Sequence, residues 1–443
     1  MVMDKNVTNE SILPSVSEDD DEGHNLGGIA RCPPSRPRSQ YSRGSVDGQR
    51  VQRARISHQD EADADEEEEV IRHTVSCTGD GEQKNVQCVS TDEDEDDDTD
   101  LELDGFYNKK QPYDPTGESH YKEACEMLGV TPMSCFLRNI NQSEVNMMHC
   151  GLGPQGTKAL AVSLVTNTSI LKLNLRDNWM EGMGGSAVAD MLKENCYITE
   201  IDLSENSVGE QGARALSGML LKNSTLMSLK LSGNHLDERS ARHLAPALVS
   251  NQKLQHLDLS HNQFGDAAAE ILGPAIAENT GIKSLNLAWN SIRGKGAIAF
   301  AKGLEGNIFL RTLDLSYNGL GKEGAVALGE VLKCNNTLED LNISNNRIPL
   351  EGAINFALSL KVNTTLRILK MSRNPMQSAG CFAILKSMHP NPNSAMEFLD
   401  FTDICVDQEF EDLFASIKET FPNLQVKHGR KLNTVVKKAE LKK

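Results

Sequence analysis

The chain has 443 residues and a formal net charge of −18, and its charges are unevenly distributed. No apolar run approaches the roughly 20 residues that a membrane-spanning helix needs, and the first residues contain no apolar core of signal-peptide length. We therefore expect a protein of the cytoplasm, with the nucleus as an alternative, and no membrane partner.

The first region along the chain, residues 1–112, is predicted to be acidic and disordered. Residues 1–110 carry 28 acidic and 12 basic side chains, and unbroken acidic runs stand at residues 18–22, 65–69 and 92–98. Such a segment cannot bury enough apolar surface to offset the entropy lost on ordering. It is either a solubilising tail or a regulated arm that binds a basic partner or the basic end of the chain itself. Ser90 and Thr91, directly before the third run, are predicted phosphorylation sites.

An array of 28-residue repeats is predicted at residues 145–394, after a helical entry cap at residues 113–144. Each repeat has the form LxLxxNxL followed by apolar residues at helical spacing, as in Leu257, Leu259 and Leu272. The alternating part has the period of a short strand and the later part has the period of a helix. One repeat is therefore one strand plus one helix.

Two series of asparagines mark the same period. The first closes each strand motif, and we expect its buried amides to bond backbone groups of their own and adjacent turns, as a ladder along the stack. The second, from Asn195 to Asn363, follows each helix, where we expect the left-handed conformation that ends helices. The first series comprises Asn178, Asn206, Asn234, Asn262, Asn290, Asn318, Asn346 and Asn374.

A strand and helix unit cannot bury its apolar side alone, so neighbouring units must stack on a shared core. Strands lie roughly 4.8 Å apart, whereas packed helices need roughly 8 to 10 Å, so the stack must curve towards its strands. We therefore predict an α/β solenoid, a horseshoe with parallel strands on its concave face and helices on its convex face. A C-terminal cap is predicted at residues 395–426 and a basic tail at residues 427–443.

The residue directly before each asparagine of the first series is predicted to lie on the concave face. Aromatic residues occupy this position in two adjacent repeats, and tryptophan, tyrosine and arginine are enriched at interface hot spots. The alternative is incidental surface aromatics, since single exposed ones are common. The strand positions nearby mix acidic and basic residues, so nucleic acid is not an expected partner. The predicted partner-binding residues are His261, Trp289, Tyr317, Asn345 and Arg373, with Arg176 and Trp179.

These motifs resemble the ribonuclease-inhibitor-like class of leucine-rich repeat proteins, whose unit LxxLxLxxNxLxxxGxxxLxxxLxxN matches residues 145–404. The segment before them, residues 121–138, looks like the entry segment of the leucine-rich repeat-containing protein 74 family. Members of the class bind proteins, so the resemblance implies a non-enzymatic scaffold, monomeric on its own, with a protein ligand on its concave face.

One family of that class activates GTPases and also carries an acidic segment, so the alternative function is a GTPase-activating protein. In that family the acidic segment follows the repeats, whereas here it precedes them. Arg347 and Arg373 would be the residues to test.

No pattern typical of catalysis is found in the sequence. It has no glycine-rich phosphate loop, no HExxH and no GxSxG motif, and its histidines have no ligand-spaced partners. The ten cysteines form no CxxC pair, which favours reduced packing thiols over disulfide bonds or zinc sites. We therefore predict no enzymatic activity, no cofactor and no metal site.

Overall fold

The computed structural model describes residues 114–432, in which one sheet receives one strand from each repeat. The predicted acidic region at residues 1–112, with Ser90 and Thr91, lies outside the described residues. So do residues 433–443 of the predicted basic tail.

The strands of this sheet pair in chain order, and every pair is parallel. Equivalent residues of successive repeats are register partners, so Lys172 pairs with Glu200 and Glu200 with Ser228. The eleven strands found between residues 114 and 432 are β1 (Glu144–Asn146), β2 (Lys172–Asn174), β3 (Glu200–Asp202), β4 (Ser228–Lys230), β5 (His256–Asp258), β6 (Ser284–Asn286), β7 (Thr312–Asp314), β8 (Asp340–Asn342), β9 (Ile368–Lys370), β10 (Phe398–Phe401) and β11 (Gln425–His428).

Helices alternate with these strands, and two further helices precede β1 in the predicted entry cap. A 3-10 helix, Leu358–Lys361, continues α10. The α-helices in the described part of the chain are α1 (Glu118–Met127), α2 (Ser134–Asn139), α3 (Gly153–Leu164), α4 (Glu181–Glu194), α5 (Gly209–Lys222), α6 (Glu238–Ser250), α7 (Asp266–Glu278), α8 (Gly294–Gly306), α9 (Gly321–Leu332), α10 (Leu350–Ala357), α11 (Gln377–Met388) and α12 (Gln408–Thr420).

The core lies between the sheet and the helices. In the repeat that contains β5, Leu257 and Leu259 from the strand side and Leu272 and Ile276 from the helix are all buried, as the repeat motif predicts. Because equivalent residues stack every 28 positions, these side chains join one continuous core along the array. The predicted α/β solenoid is confirmed, and the closer spacing of strands than of helices makes the sheet its concave face.

The first asparagine series forms the expected ladder, and all eight of its members are buried. Asn206 is typical. Its Nδ2 donates to the carbonyl oxygen of Leu175 in the preceding repeat at 2.8 Å and to that of Leu203 in its own turn at 3.0 Å. Its Oδ1 accepts from the backbone N–H of Asn178 at 2.8 Å. Each asparagine therefore closes its own turn and ties it to the repeat before it.

The prediction of a left-handed conformation for the second asparagine series is wrong. Asn195 follows α4 with an extended backbone, with φ −72° and ψ 122°. Its Nδ2 donates to the carbonyl oxygens of Leu164 at 2.7 Å and Asn167 at 3.0 Å, both in the preceding repeat. Its Oδ1 accepts from the backbone N–H groups of Tyr197 and Ile198, each at 2.9 Å. The side chain thus forms a second ladder, which a left-handed turn does not need.

Candidate functional site

The residues that directly precede each asparagine of the first series form a column along the carboxyl ends of the strands. We call it the turn column. Trp289, for example, stands three residues beyond the end of β6 at Asn286. Its backbone N–H still donates to the carbonyl oxygen of Ser316 in the next repeat at 2.9 Å, so parallel pairing continues into the column. The turn column therefore lies at the edge of the concave sheet and not on the strands themselves. Its members are Asp177, Glu205, Gly233, His261, Trp289, Tyr317, Asn345 and Arg373.

Every residue of the turn column has a left-handed backbone, with φ of 56° at Trp289 and 54° at Tyr317. This conformation costs most L-residues about 1–2 kcal/mol. Within the column Gly233 avoids that cost, and Asn345 and Asp177 are of the types that tolerate the conformation best. Such strain persists only where surrounding interactions over-determine the backbone. Here the next residue, a buried ladder asparagine, holds the turn, so the side chain before it is presented in a fixed place.

Three rings of the turn column stack on one another. The Trp289 and Tyr317 ring centroids are 3.9 Å apart with 10° between the planes. The His261 and Trp289 centroids are 5.2 Å apart with 15° between the planes. A ring therefore lies against each face of the indole, and Trp289 is still 48% exposed. Because both faces are occupied by rings of the protein, we expect a partner to contact the edge of this indole and not to place a cation on its face.

Arg373 closes the Tyr317 end of the stack. Its Nη1 donates to the Tyr317 hydroxyl at 2.6 Å across two repeats, and its Nε donates to the Asp403 carboxylate at 2.8 Å. The hydrogen bond to Asp403 and the electrostatic interaction with Tyr317 raise the pKa of Arg373, so it stays a cation. Asn345 lies in the column between Tyr317 and Arg373 and is half-buried.

Two of the predicted partner-binding residues lie apart from this cluster. Trp179 is 74% exposed, but its repeat is that of β2, four strands away from β6 beside Trp289. Arg176 lies in the same repeat as Trp179, and its Nη2 is 4.0 Å from Oε1 of Glu205. The structure therefore brings together His261, Trp289, Tyr317 and Arg373. The roles of all seven residues in binding remain predictions.

Two residues that were not predicted from the sequence extend the turn column at its ends. His149 stands 28 positions before Asp177, and its Nδ1 is 2.6 Å from Oδ2 of that residue. Asp403 stands 30 positions after Arg373 because the repeat register slips there by two residues. Both also have left-handed backbones. Continuing the 28-residue count in both directions, with the slip included, is the signal that would have found them.

The strand face beside the turn column carries charges of both signs in ion pairs. Lys172 lies 3.2 Å from Glu144 and 3.4 Å from Glu200, and Lys370 lies 3.2 Å from Asp340. These pairs leave no continuous basic stripe on the part of the sheet that the structure describes. Neither a cluster of three or more metal-ligating side chains nor a helix able to cross a membrane is found between residues 114 and 432.

Eight segments of the chain match a family model described as "Leucine Rich repeat", at residues 166–189, 194–217, 222–245, 250–272, 278–301, 306–329, 334–357 and 362–385. Among curated proteins, the chain is similar to the human "Leucine-rich repeat-containing protein 74B", with 50% identity over 50 residues, or 11% of this chain. The mouse protein of the same name is 51% identical over 50 residues. The match spans only 13% of the length of each of these relatives.

Solved structures with similar folds were also found. They include the "APL1 leucine-rich repeat domain", with a TM-score of 0.34 and 16% identity over 68% of this chain and 66% of that chain. "Leiomodin-1 Actin-Binding Site 2" has a TM-score of 0.28 and 17% identity, covering 40% of this chain and 86% of that chain. The tropomodulin C-terminal domain of Caenorhabditis elegans has a TM-score of 0.30 and 14% identity, covering 34% of this chain and 91% of that chain.

Proposed function

We propose that this chain, which belongs to the leucine-rich repeat family, binds a protein partner on its concave face through the stacked rings of the turn column. Repeats of this family make a protein-interaction scaffold. The observation that supports binding at this place is the stack of His261, Trp289 and Tyr317 with Arg373 at its end. These are residue types that dominate interface hot spots.

The stack is built in a way that favours binding. Its rings are held by one another and by the left-handed turns beneath them, so few rotamers remain to be lost when a partner docks. Trp289 is still 48% exposed, so apolar surface remains for a partner to cover. The neighbouring ion pairs on the strand face give the site a polar rim, which is the usual surrounding of a hot spot.

Regulation by the acidic region at residues 1–112 is part of the same proposal, and it is supported by the three acidic runs in that sequence. A polyanionic segment can attract a basic partner at long range, an effect that added salt screens. The cytoplasm is the proposed location. The seven cysteines within residues 114–432 are all free thiols, which supports a reducing compartment.

The proposal is tested by quantitative crosslinking and capture from cell lysate with the full chain and its Trp289→Ala, Tyr317→Ala double variant. We expect at least one partner to be lost with the double variant. The matched control is Tyr197→Ala, which removes an exposed aromatic residue outside the turn column and outside the predicted binding residues, and it should keep that partner. Circular dichroism verifies that all variants are folded. An identical set of captured proteins for all three chains would overturn binding through the stack.

GTPase activation remains the alternative, with less support from the site. Arg373, one of its two candidate arginines, is already held by Asp403 and Tyr317. Arg347 is exposed and follows the ladder asparagine Asn346. The test is GTP turnover by a panel of small GTPases with the full chain and its Arg347→Ala variant. A stimulation that disappears in the variant would establish the alternative.

A further inference from the structure

The two ends of the aromatic stack differ in one respect. At the Tyr317 end, the guanidinium of Arg373 contacts the Tyr317 hydroxyl and is paired with the carboxylate of Asp403. At the other end, the next position of the turn column after His261 is Gly233, which has no side chain. Among residues 114–432, no second aromatic ring stacks on His261. The stack is therefore closed by an arginine and a carboxylate at one end and has a gap at the other.

A carboxylate lies at the base of this gap. A Cβ built on Gly233 would be 2.5 Å from Cδ of Glu205 and 2.6 Å from each of its carboxylate oxygens. The nearest cation paired with Glu205 is Arg176, whose Nη2 is 4.0 Å away from Oε1, at the outer limit of an ion pair. The Glu205 carboxylate is also exposed. It therefore has room to accept a closer and better aligned cation.

The spacing of the column suits a planar group. Glu205 and His261 stand two strands apart, and strands are spaced by about 4.8 Å, so roughly 10 Å separates the backbones that carry them. A flat group placed above Gly233 would have its face against the His261 ring and its edge towards the Glu205 carboxylate at the base of the gap. The guanidinium group meets both requirements, because it stacks on aromatic faces and pairs with carboxylates through two parallel hydrogen bonds. The ammonium group of lysine is not planar and meets only the second.

We propose that the gap above Gly233 is a binding site for an arginine side chain of the partner protein, stacked on His261 and paired with Glu205. The inference rests on the proposed function and adds the chemistry of the ligand. The charge of this end of the column supports it, since Asp177 and Glu205 occupy the two positions before Gly233. In the complex, each end of the stack would have an arginine that is paired with a carboxylate.

The chain itself contains another source of arginine. Residues 31–55 carry seven arginines and one acidic residue. One of these arginines could occupy the gap instead of an arginine from a partner protein. The experiment must therefore distinguish the two sources.

The experiment uses the full chain with Trp179→Phe, which leaves Trp289 as the only tryptophan. Its fluorescence is titrated with the peptide acetyl-Gly-Ser-Arg-Ser-Gly-amide and with analogues that carry lysine or citrulline instead of arginine. We expect a saturable change with the arginine peptide and binding weaker by about tenfold or more with both analogues. Adding Glu205→Gln should remove the preference for arginine. Adding Glu200→Gln, the control on β3, should keep it.

Equal binding of the three peptides, or an arginine preference that survives Glu205→Gln, would overturn the proposal. The same titration is run on a chain whose seven arginines at residues 31–55 are replaced by glutamine. If only this chain binds the arginine peptide, the gap is filled in cis and the assignment to a partner is wrong. Partner capture that depends on Trp289 and Tyr317 but not on Glu205 would refute the arginine site while leaving the proposed function intact.

Discussion

The rings of Trp289 and Tyr317 lie almost parallel, 3.9 Å apart between centroids, although each residue has a left-handed backbone. Consecutive positions of the turn column are register neighbours in a parallel sheet, so large flat side chains placed there must meet. The contact is therefore a consequence of the 28-residue period and of the turn that each ladder asparagine fixes.

Trp289→Ala should reduce the free energy of unfolding by about 1–3 kcal/mol, because it removes two stacked pairs that contribute about 0.5–1.5 kcal/mol each. Trp179→Ala should leave it nearly unchanged, since that side chain is 74% exposed. Urea denaturation followed by circular dichroism measures both. A loss of equal size in the two variants would show that the stack does not stabilise the fold.

Asn279→Ala tests the second asparagine ladder. This residue is 1% exposed, and its side chain bonds the carbonyl oxygens of Leu248 and Asn251 and the N–H groups of Gly281 and Ile282. Leaving several of these buried groups unpaired should cost about 2–4 kcal/mol.

The control for this ladder is Asn355→Ala on the exposed side of α10, where a single bond to Glu351 is lost. It should cost less than about 0.5 kcal/mol. Asn290→Ala in the first ladder should cost about 1–3 kcal/mol. If Asn279→Ala were as mild as Asn355→Ala in thermal and urea denaturation, the second series would have no structural role.

Gly303→Ala and Gly218→Ala should change stability in opposite directions. A Cβ on Gly303 in α8 would lie 2.1 Å from the carbonyl oxygen of Gly273 in α7, so the two helices would have to separate. We expect a cost of about 1–3 kcal/mol. A Cβ on Gly218 in α5 would approach only Lys193 Cε, at 3.9 Å.

At Gly218 alanine should therefore stabilise the helix by about 0.5–1 kcal/mol. The comparison needs only the urea midpoints of the two variants and the parent chain. A stabilising Gly303→Ala would mean that α7 and α8 do not approach so closely.

Cys381 should make the fold sensitive to alkaline pH. Burial raises the pKa of its thiol to about 12, whereas an unfolded cysteine ionises near 8.5. The folded state therefore holds this proton more tightly than the unfolded state. The stability that this provides is present below about pH 8.5 and is lost as the pH rises towards 12.

The measurement is the free energy of unfolding between pH 7 and pH 10.5 for the parent chain and for Cys381→Ala. Removal of the thiol should lower the free energy of unfolding by a constant amount at every pH, because packing is lost. It should also make that free energy depend less on pH in the alkaline range. Parallel curves would contradict a raised pKa. Cys405→Ala, which replaces an exposed cysteine instead of a buried one, is the matched control variant.

The periodic part of this structure was predictable because its cause is periodic. The spacing of Leu257, Leu259 and Asn262 was sufficient to predict the strand, the core and the first ladder, and the adjacency of Trp289 and Tyr317 follows from the same count. The extended conformation at Asn195 was not predictable in this way. The left-handed preference of asparagine is local, whereas the carbonyl groups that override it belong to the preceding repeat.

The ends of the site depend on features that a repeat motif does not carry. Arg373 reaches Tyr317 across two repeats because its side chain is long, and it meets Asp403 only after the register has slipped by two residues. The carboxylate of Glu205 enters the position of Gly233 through its own rotamer. Side-chain reach and rotamer choice are decided by packing, so they became visible only in three dimensions.

The hydrogen bonds of the asparagine side chains also give the array a direction along the chain. Asn206 and Asn195 each bond a carbonyl group 31 residues earlier in the chain, so every repeat relies on its successor to satisfy buried acceptors. An asparagine that loses its predecessor still keeps bonds within its own turn, as Asn206 does with Leu203. We therefore expect loss of repeats from the amino end to cost less than loss from the carboxyl end, which would leave those carbonyl groups without their asparagine partners. We therefore expect such an array to begin to fray at its amino end.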